Sequence, residues 1–165
     1  MDIENFLKEI IPPADYQHRD GFSNSDMIDR LNEYEKELVG DALINKLLGQ
    51  TDDTLIVETL ASLRSEKSLP LLYDFLERCS DPMSKIIVAV SIFKINNDND
   101  LVFTAIASFK QLDDTKDAYY VYKLIPAFYY LVKLRSIKVR NLIEEYTAHK
   151  EYLISYNAKQ ALGVQ

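Results

Sequence analysis

Two histidines, one cysteine and a few closely spaced acids are the side chains here with the shortest routes to catalysis or metal binding. His18 lies in QHRD and His149 in YTAHKEY. Neither has a second histidine or a cysteine at the spacing a zinc site needs. Cys79 closes YDFLERC. A nucleophilic thiol needs a base or a positive surrounding to hold it as thiolate, and no histidine is spaced to supply one, so Cys79 reads as a structural thiol near a helix end. As the sole cysteine it also excludes an internal disulfide. The segment DDTKD at 113–117 offers three carboxylates, which are hard oxygen ligands. It lacks the alternating ligands and central glycine of a calcium loop, and reads as the polar start of a helix. NNDND at 96–100 reads as a polar turn of the same kind. Glu144 and Glu145 are adjacent, so a helix points them in different directions. No glycine-rich phosphate loop and no GxSxG element occur. The expectation is no metal, no cofactor, no catalytic residue and a protein that is not an enzyme.

The tyrosines are unevenly placed. Eight of the eleven lie from residue 119 onward, and five of these fall in AYYVYK and AFYYLVK. Core packing with the hydroxyl left at the surface is one reading of such a run. The other is a contact surface, because tyrosine joins apolar area to a hydrogen-bonding tip. On that second reading Tyr119, Tyr122, Tyr130 and Lys133 are candidate protein-binding residues, with Glu58 and Ser62 as further candidates on an earlier helix. Lys123, Lys133, Arg135, Lys138 and Arg140 form a local basic stretch beside the aromatics. Aromatics with cations suit single-stranded nucleic acid, but a chain of net charge −7 repels a phosphate backbone, so nucleic acid is not the expected partner.

These residues must be carried by helices. The chain has 165 residues, 47% of them apolar, with only four glycines and five prolines. That is enough for one packed core, and too few turn formers for a β-sandwich. Asp2 can cap a helix whose apolar residues Ile3, Phe6, Leu7 and Ile10 recur at helical spacing, and Pro12–Pro13 should stop it. Residues 14–24 lack periodicity and read as a linker or surface loop. Ser25 then offers a cap for a helix through Leu38, followed by a second over Val39–Leu48, closed by a left-handed Gly49. Asp52 or Asp53, Ser65, Asp81 with Pro82, and Asn97 or Asp98 precede the next four apolar stretches. Each can satisfy free N–H groups at a helix start. Asp113 or Asp114 can begin the aromatic unit, inside which Pro126 should kink or split the helix. Short helices near 137–147 and from Tyr152 to Leu162 complete the chain, with Gly163 as a C-terminal cap.

A shift of 32 residues lays Leu60 on Ile92, Leu63 on Ile95 and Leu69 on Leu101, with RSEKS and NNDND as corresponding breaks. A period of that length fits two short helices and two turns. ETLASLRSEKSLPLLYDFLE at 58–77 and YNAKQALG at 156–163 resemble the HEAT-repeat class. The resemblance is closest over 52–110, weaker at 135–163, and the 113–134 unit departs from the common length. It implies that Ala61, Leu63, Leu69, Leu72, Ala158 and Leu162 pack between helices. The expected fold is all-α: a short right-handed α-α superhelix of stacked antiparallel helix pairs. Residues 1–165 would form one domain, with 1–50 as N-terminal helices and cap and 52–163 as the array.

The beginning, MDIENFLKEIIPP, does not read as a signal peptide, and no run of eighteen apolar residues suits a membrane span. A cytoplasmic location without membrane insertion is expected. The function expected first is a protein-binding adaptor or inhibitor. Small size and acidity also resemble small acidic helical immunity proteins that neutralise toxins. The alternatives are an enzyme or cofactor-handling protein on a HEAT-like scaffold, and a structural homo-oligomeric module.

Overall fold

A computed structural model describes residues 2–49 and 51–164. The described residues are all-α: α1 (Ile3–Ile10), α2 (Tyr16–Arg19), α3 (Ser25–Asp29), α4 (Glu33–Leu48), α5 (Thr54–Ser62), α6 (Leu69–Arg78), α7 (Pro82–Asn96), α8 (Asp100–Asp114), α9 (Tyr120–Leu131), α10 (Ile137–Glu144) and α11 (Tyr152–Leu162). Short 3-10 turns precede α6 and follow α9. None of these helices is long and apolar enough to cross a membrane.

Local chemistry accounts for most boundaries. The Asp2 carboxylate accepts from the Asn5 N–H, Asp53 from Leu55 and Asp81 from Ser84. Gly163 ends α11 with a left-handed φ of +68°. Other boundaries differ from the sequence reading. The expected helix from Ser25 to Leu38 is broken at 30–32. Asn32 accepts from the Glu35 N–H at 2.9 Å while Glu35 accepts from the Asn32 N–H at 3.1 Å, and this reciprocal pair starts α4 as one helix through Leu48. Ser25 is the first residue of α3 and is not its cap. Gly49 has φ −69°, outside the left-handed region. Asp113 and Asp114 are the last turn of α8, so they do not begin the aromatic helix, which starts at Tyr120. Helix α9 runs continuously through Pro126. Proline there removes the hydrogen bond to the carbonyl four residues back, at Tyr122, and both residues are exposed.

Helix α7 is the hub of the packing and touches α5, α6, α8 and α9. Leu60, Leu72, Ala89, Ile92, Phe109 and Phe128 are all fully buried in one core with it. Of the residues the HEAT resemblance assigns to packing, Ala61, Leu72 and Ala158 are buried, while Leu63, Leu69 and Leu162 are half-buried against the core.

The segment 14–24 contains α2 and is tied down. The Arg19 guanidinium donates to both Asp53 carboxylate oxygens at 2.6 Å and to the Pro12 carbonyl at 2.7 and 3.1 Å. Buried Asn24 donates to the Ile10 carbonyl at 2.9 Å and to the Thr59 hydroxyl at 2.8 Å. This loop therefore joins α1 to α5. Burial opposes ionisation of Asp53, but the Arg19 guanidinium and the Leu55 N–H outweigh it and hold the carboxyl below its ordinary value. Asp53→Asn should destabilise the protein by about 1–3 kcal/mol, because it leaves Arg19 without its counter-charge. The depressed carboxyl contributes stability that is present above its unfolded value, near 3.8, and is lost as pH falls through the lower folded value. Urea unfolding of wild type and variant at neutral pH and on acidification checks both points. The gap between them should close in acid.

Candidate functional site

Helices α5 and α7, the end of α9 and the 22–25 segment enclose a cleft of ≈ 690 Å³. Glu58, Ala61 and Ser62 of α5 line it, and so do Val90, Phe93 and Lys94 of α7. Each α7 residue lies 32 positions after its α5 counterpart. Side by side, Lys94 Nζ donates to Ser62 Oγ at 3.1 Å. The Ser62 hydroxyl in turn donates to the Glu58 carbonyl at 3.0 Å. From the third wall, the Tyr130 hydroxyl donates to Glu58 Oε1 at 2.6 Å, and Lys133 Nζ sits 4.4 Å from the centre of the Tyr130 ring.

The helices deliver their ends here. Arg64 follows α5, Asn97 caps α7 and Arg135 ends the turn after α9. All three are left-handed, with φ of +52°, +56° and +50°. Glycine takes that conformation freely, whereas a residue with a Cβ pays about 1–2 kcal/mol. The side chains at these positions stand at the cleft in spite of that cost.

The cleft reverses the net charge of this acidic chain. Arg64, Lys94, Lys133 and Arg135 face a single lining carboxylate, Glu58, which already holds the Tyr130 hydroxyl. Burial pushes the Lys94 ammonium below its usual range, and Lys133 and Arg64 push it further, with Asp29 and Glu58 opposing in part. Burial and the Glu58 carboxylate raise the Tyr130 phenol far above its ordinary value, so this tyrosine stays protonated and donates.

The structure brings together four of the six residues singled out as protein-binding: Glu58, Ser62, Tyr130 and Lys133. Tyr119 and Tyr122 stand elsewhere, at 68% and 70% exposure, and are not among the cleft's walls. Of the three tyrosines, only Tyr130 lines the cleft. The basic stretch is divided too. Lys123 pairs with Asp117, Arg140 with Glu144 at 3.0 Å, and Lys138 lies 4.7 Å from the Phe103 ring centre, leaving Lys133 and Arg135 for the cleft. Arg64 and Lys94 were missed in the sequence, although the 32-residue offset sets Lys94 over Ser62 and so onto the same face.

The other groups with catalytic potential have local partners. His18 contacts the Asp15 carboxylate at 2.7 and 2.8 Å, and His149 Nδ1 accepts the Glu151 N–H at 3.0 Å. Burial raises the Cys79 thiol. Asp113 binds the Tyr120 hydroxyl and Lys116. No group of three or more histidines, cysteines or acids with metal-binding geometry occurs among the described residues. No known protein family, curated protein or solved structure matches this chain.

Proposed function

We propose that the chain is a HEAT-like helical-repeat scaffold whose cleft between α5, α7 and α9 binds a partner protein, as a non-enzymatic adaptor or inhibitor. The repeat reading rests on the 32-residue correspondence: Leu60 and Ile92 are both fully buried, while Ser62 and Lys94 touch on the cleft side. A unit of two short helices that repeats in register presents equivalent faces on one side of the array, and such a face binds without catalytic chemistry. The observation that carries the functional reading is the convergence of Glu58, Ser62, Tyr130 and Lys133 on one cleft. Tyr130 is a half-buried aromatic held by a hydrogen bond and a cation, so little entropy remains for a partner to quench.

The test is affinity capture from the native organism, followed by calorimetric titration of the captured partner with folded single variants. Tyr130→Ala should weaken binding about thirtyfold, the effect of losing roughly 2 kcal/mol at an aromatic anchor. Tyr130→Phe keeps the ring and separates packing from the Glu58 hydrogen bond. Tyr119→Ala and Tyr122→Ala should bind as wild type, since their side chains lie outside the cleft. Wild-type affinity in both Tyr130→Ala and Lys133→Ala would reject the cleft. A turnover reaction that requires cleft residues would reject the non-enzymatic reading.

A further inference from the structure

We infer that the segment received by this cleft is acidic: a run of aspartates or glutamates in the partner protein, with an apolar residue for the aromatic wall. This deepens the protein-binding reading and rests on it. Charge complementarity selects this occupant. The chain carries 26 acids against 19 lysines and arginines, yet the cleft reverses that balance, with four cations and one carboxylate on its walls. Helix C-termini favour positive side chains, each end carrying roughly half a negative charge. All four cations stand at or just past such ends, Lys94 in the last turn of α7 and Lys133 in the turn after α9, and there they crowd one another. The Lys94 ammonium is disfavoured by burial and by the neighbouring Lys133 and Arg64. An incoming carboxylate offsets both effects, since it gives the partly desolvated ammonium a charged acceptor and stands between like charges.

Size and chemistry favour a polypeptide over other anions. A cleft of ≈ 690 Å³ is far larger than a phosphate ion and holds several residues. Ser62, Ser91 and Asn97 supply neutral polar groups beside the cations, which suits a peptide backbone. Phe93 and Tyr130 supply aromatic wall. A nucleic-acid strand is a longer polyanion and would continue from the cleft over a surface of net negative charge. A short acidic segment ends where the cations end.

The experiment titrates the full chain, followed by amide NMR shifts, with an eight-residue peptide of six glutamates, one tyrosine and one leucine. A matched peptide carries glutamine for every glutamate, and inorganic pyrophosphate and a thymidine octanucleotide serve as further probes. Shifts at Ser62, Lys94, Asn97 and Lys133 with the glutamate peptide are expected. Its affinity should exceed that of the glutamine peptide by about tenfold or more and fall with added salt. Lys94→Gln with Lys133→Gln should remove most of that difference. Arg64→Gly provides a second variant, since it deletes a cation where the backbone already suits glycine, and should also weaken the glutamate peptide selectively. Equal binding of the two peptides, shifts confined to residues outside the cleft, or no binding overturns the inference. So does tighter binding of pyrophosphate or the oligonucleotide at the same residues, which would reassign the cleft to phosphates. A captured partner that engages the cleft through a neutral or basic segment overturns the acidic occupant while leaving the protein-binding reading standing.

Discussion

Phe109→Ala should destabilise the protein by about 3–5 kcal/mol, the range for truncating a fully buried aromatic side chain. Phe109 of α8 has no exposed surface. Its ring centre lies 5.7 Å from that of Phe128 on α9 and 5.4 Å from that of Tyr146, which follows α10. The contact with Tyr146 is edge-to-face at 86°, and Phe128 and Tyr146 are themselves 5.4 Å apart. One truncation thus empties the centre of a three-ring cluster that binds α8, α9 and the end of α10 together. Two effects add: the transfer energy of the lost ring, and the cavity its rigid neighbours cannot fill. Against a total stability of order 5–15 kcal/mol, that loss is a large share. Urea denaturation should show a lowered midpoint at unchanged slope, and calorimetry a melting temperature lower by roughly 6–20 °C. A loss below about 1 kcal/mol would mean that the cluster is loosely packed or absent.

The same cluster shows what a linear reading of the tyrosines could and could not reach. Their enrichment after residue 119 is plain in the sequence, but the division of labour among them depends on helix phase. Tyr146 packs its ring against Phe109 and Phe128, Tyr130 turns toward Glu58 and Tyr122 is exposed. Phase in turn depends on where α9 begins. Asp113 and Asp114 carry the look of a helix start, yet Asp113 is anchored by Tyr120 and Lys116 in the last turn of α8, and Asp117 is the residue that accepts the Tyr119 N–H. Capping signals were legible where one acid preceded an apolar run, as at Asp2 and Asp81, and were narrowed to a pair at Asp52 and Asp53, of which Asp53 is the cap. They misled where several acids offered competing starts, and at Asn32, whose box with Glu35 lay inside an otherwise continuous helical pattern.

The cleft was half legible for a related reason. Glu58 and Ser62 were accessible because they stand opposite the apolar stripe of a recognisable helix. Lys94 sits in SIFKIN, where the surrounding apolar residues hide its direction. Only the packing of α7 on α5 turns it beside Ser62. Arg64 and Arg135 follow helix ends, and no periodicity predicts a left-handed arginine. A cleft assembled from three separated helices is written in the packing between them, and the sequence points to that packing only through the 32-residue offset.

That dependence makes the interface between α5 and α7 the place for the other large effect. Leu60→Ala and Ile92→Ala should each cost about 2–5 kcal/mol, because both side chains are fully buried at positions 32 residues apart on contacting helices. Ile92→Val removes one methyl group and should cost about 0.5–1.5 kcal/mol, which separates volume loss from wholesale collapse. If the two side chains share the wall between α5 and α7, their losses should not simply add. The double variant should depart from the sum by about 0.5 kcal/mol or more, since relaxation at one helix alters the wall presented to the other. Urea titration of the four proteins closes the cycle. A loss below about 0.5 kcal/mol at either site would break the proposed correspondence between the units, and additivity within error would mean that the two side chains share no wall. The cleft supplies an independent readout. Ser62 lies two residues beyond Leu60, Lys94 lies two beyond Ile92, and the 3.1 Å hydrogen bond between them spans the same pair of helices. A core variant that stays folded but loosens α5 against α7 should therefore shift the Lys94 amide resonance while leaving that of Lys159 on the distant α11 in place. Core packing and cleft geometry then move together, as they must if the repeat that buries Leu60 and Ile92 is also what sets Ser62 against Lys94.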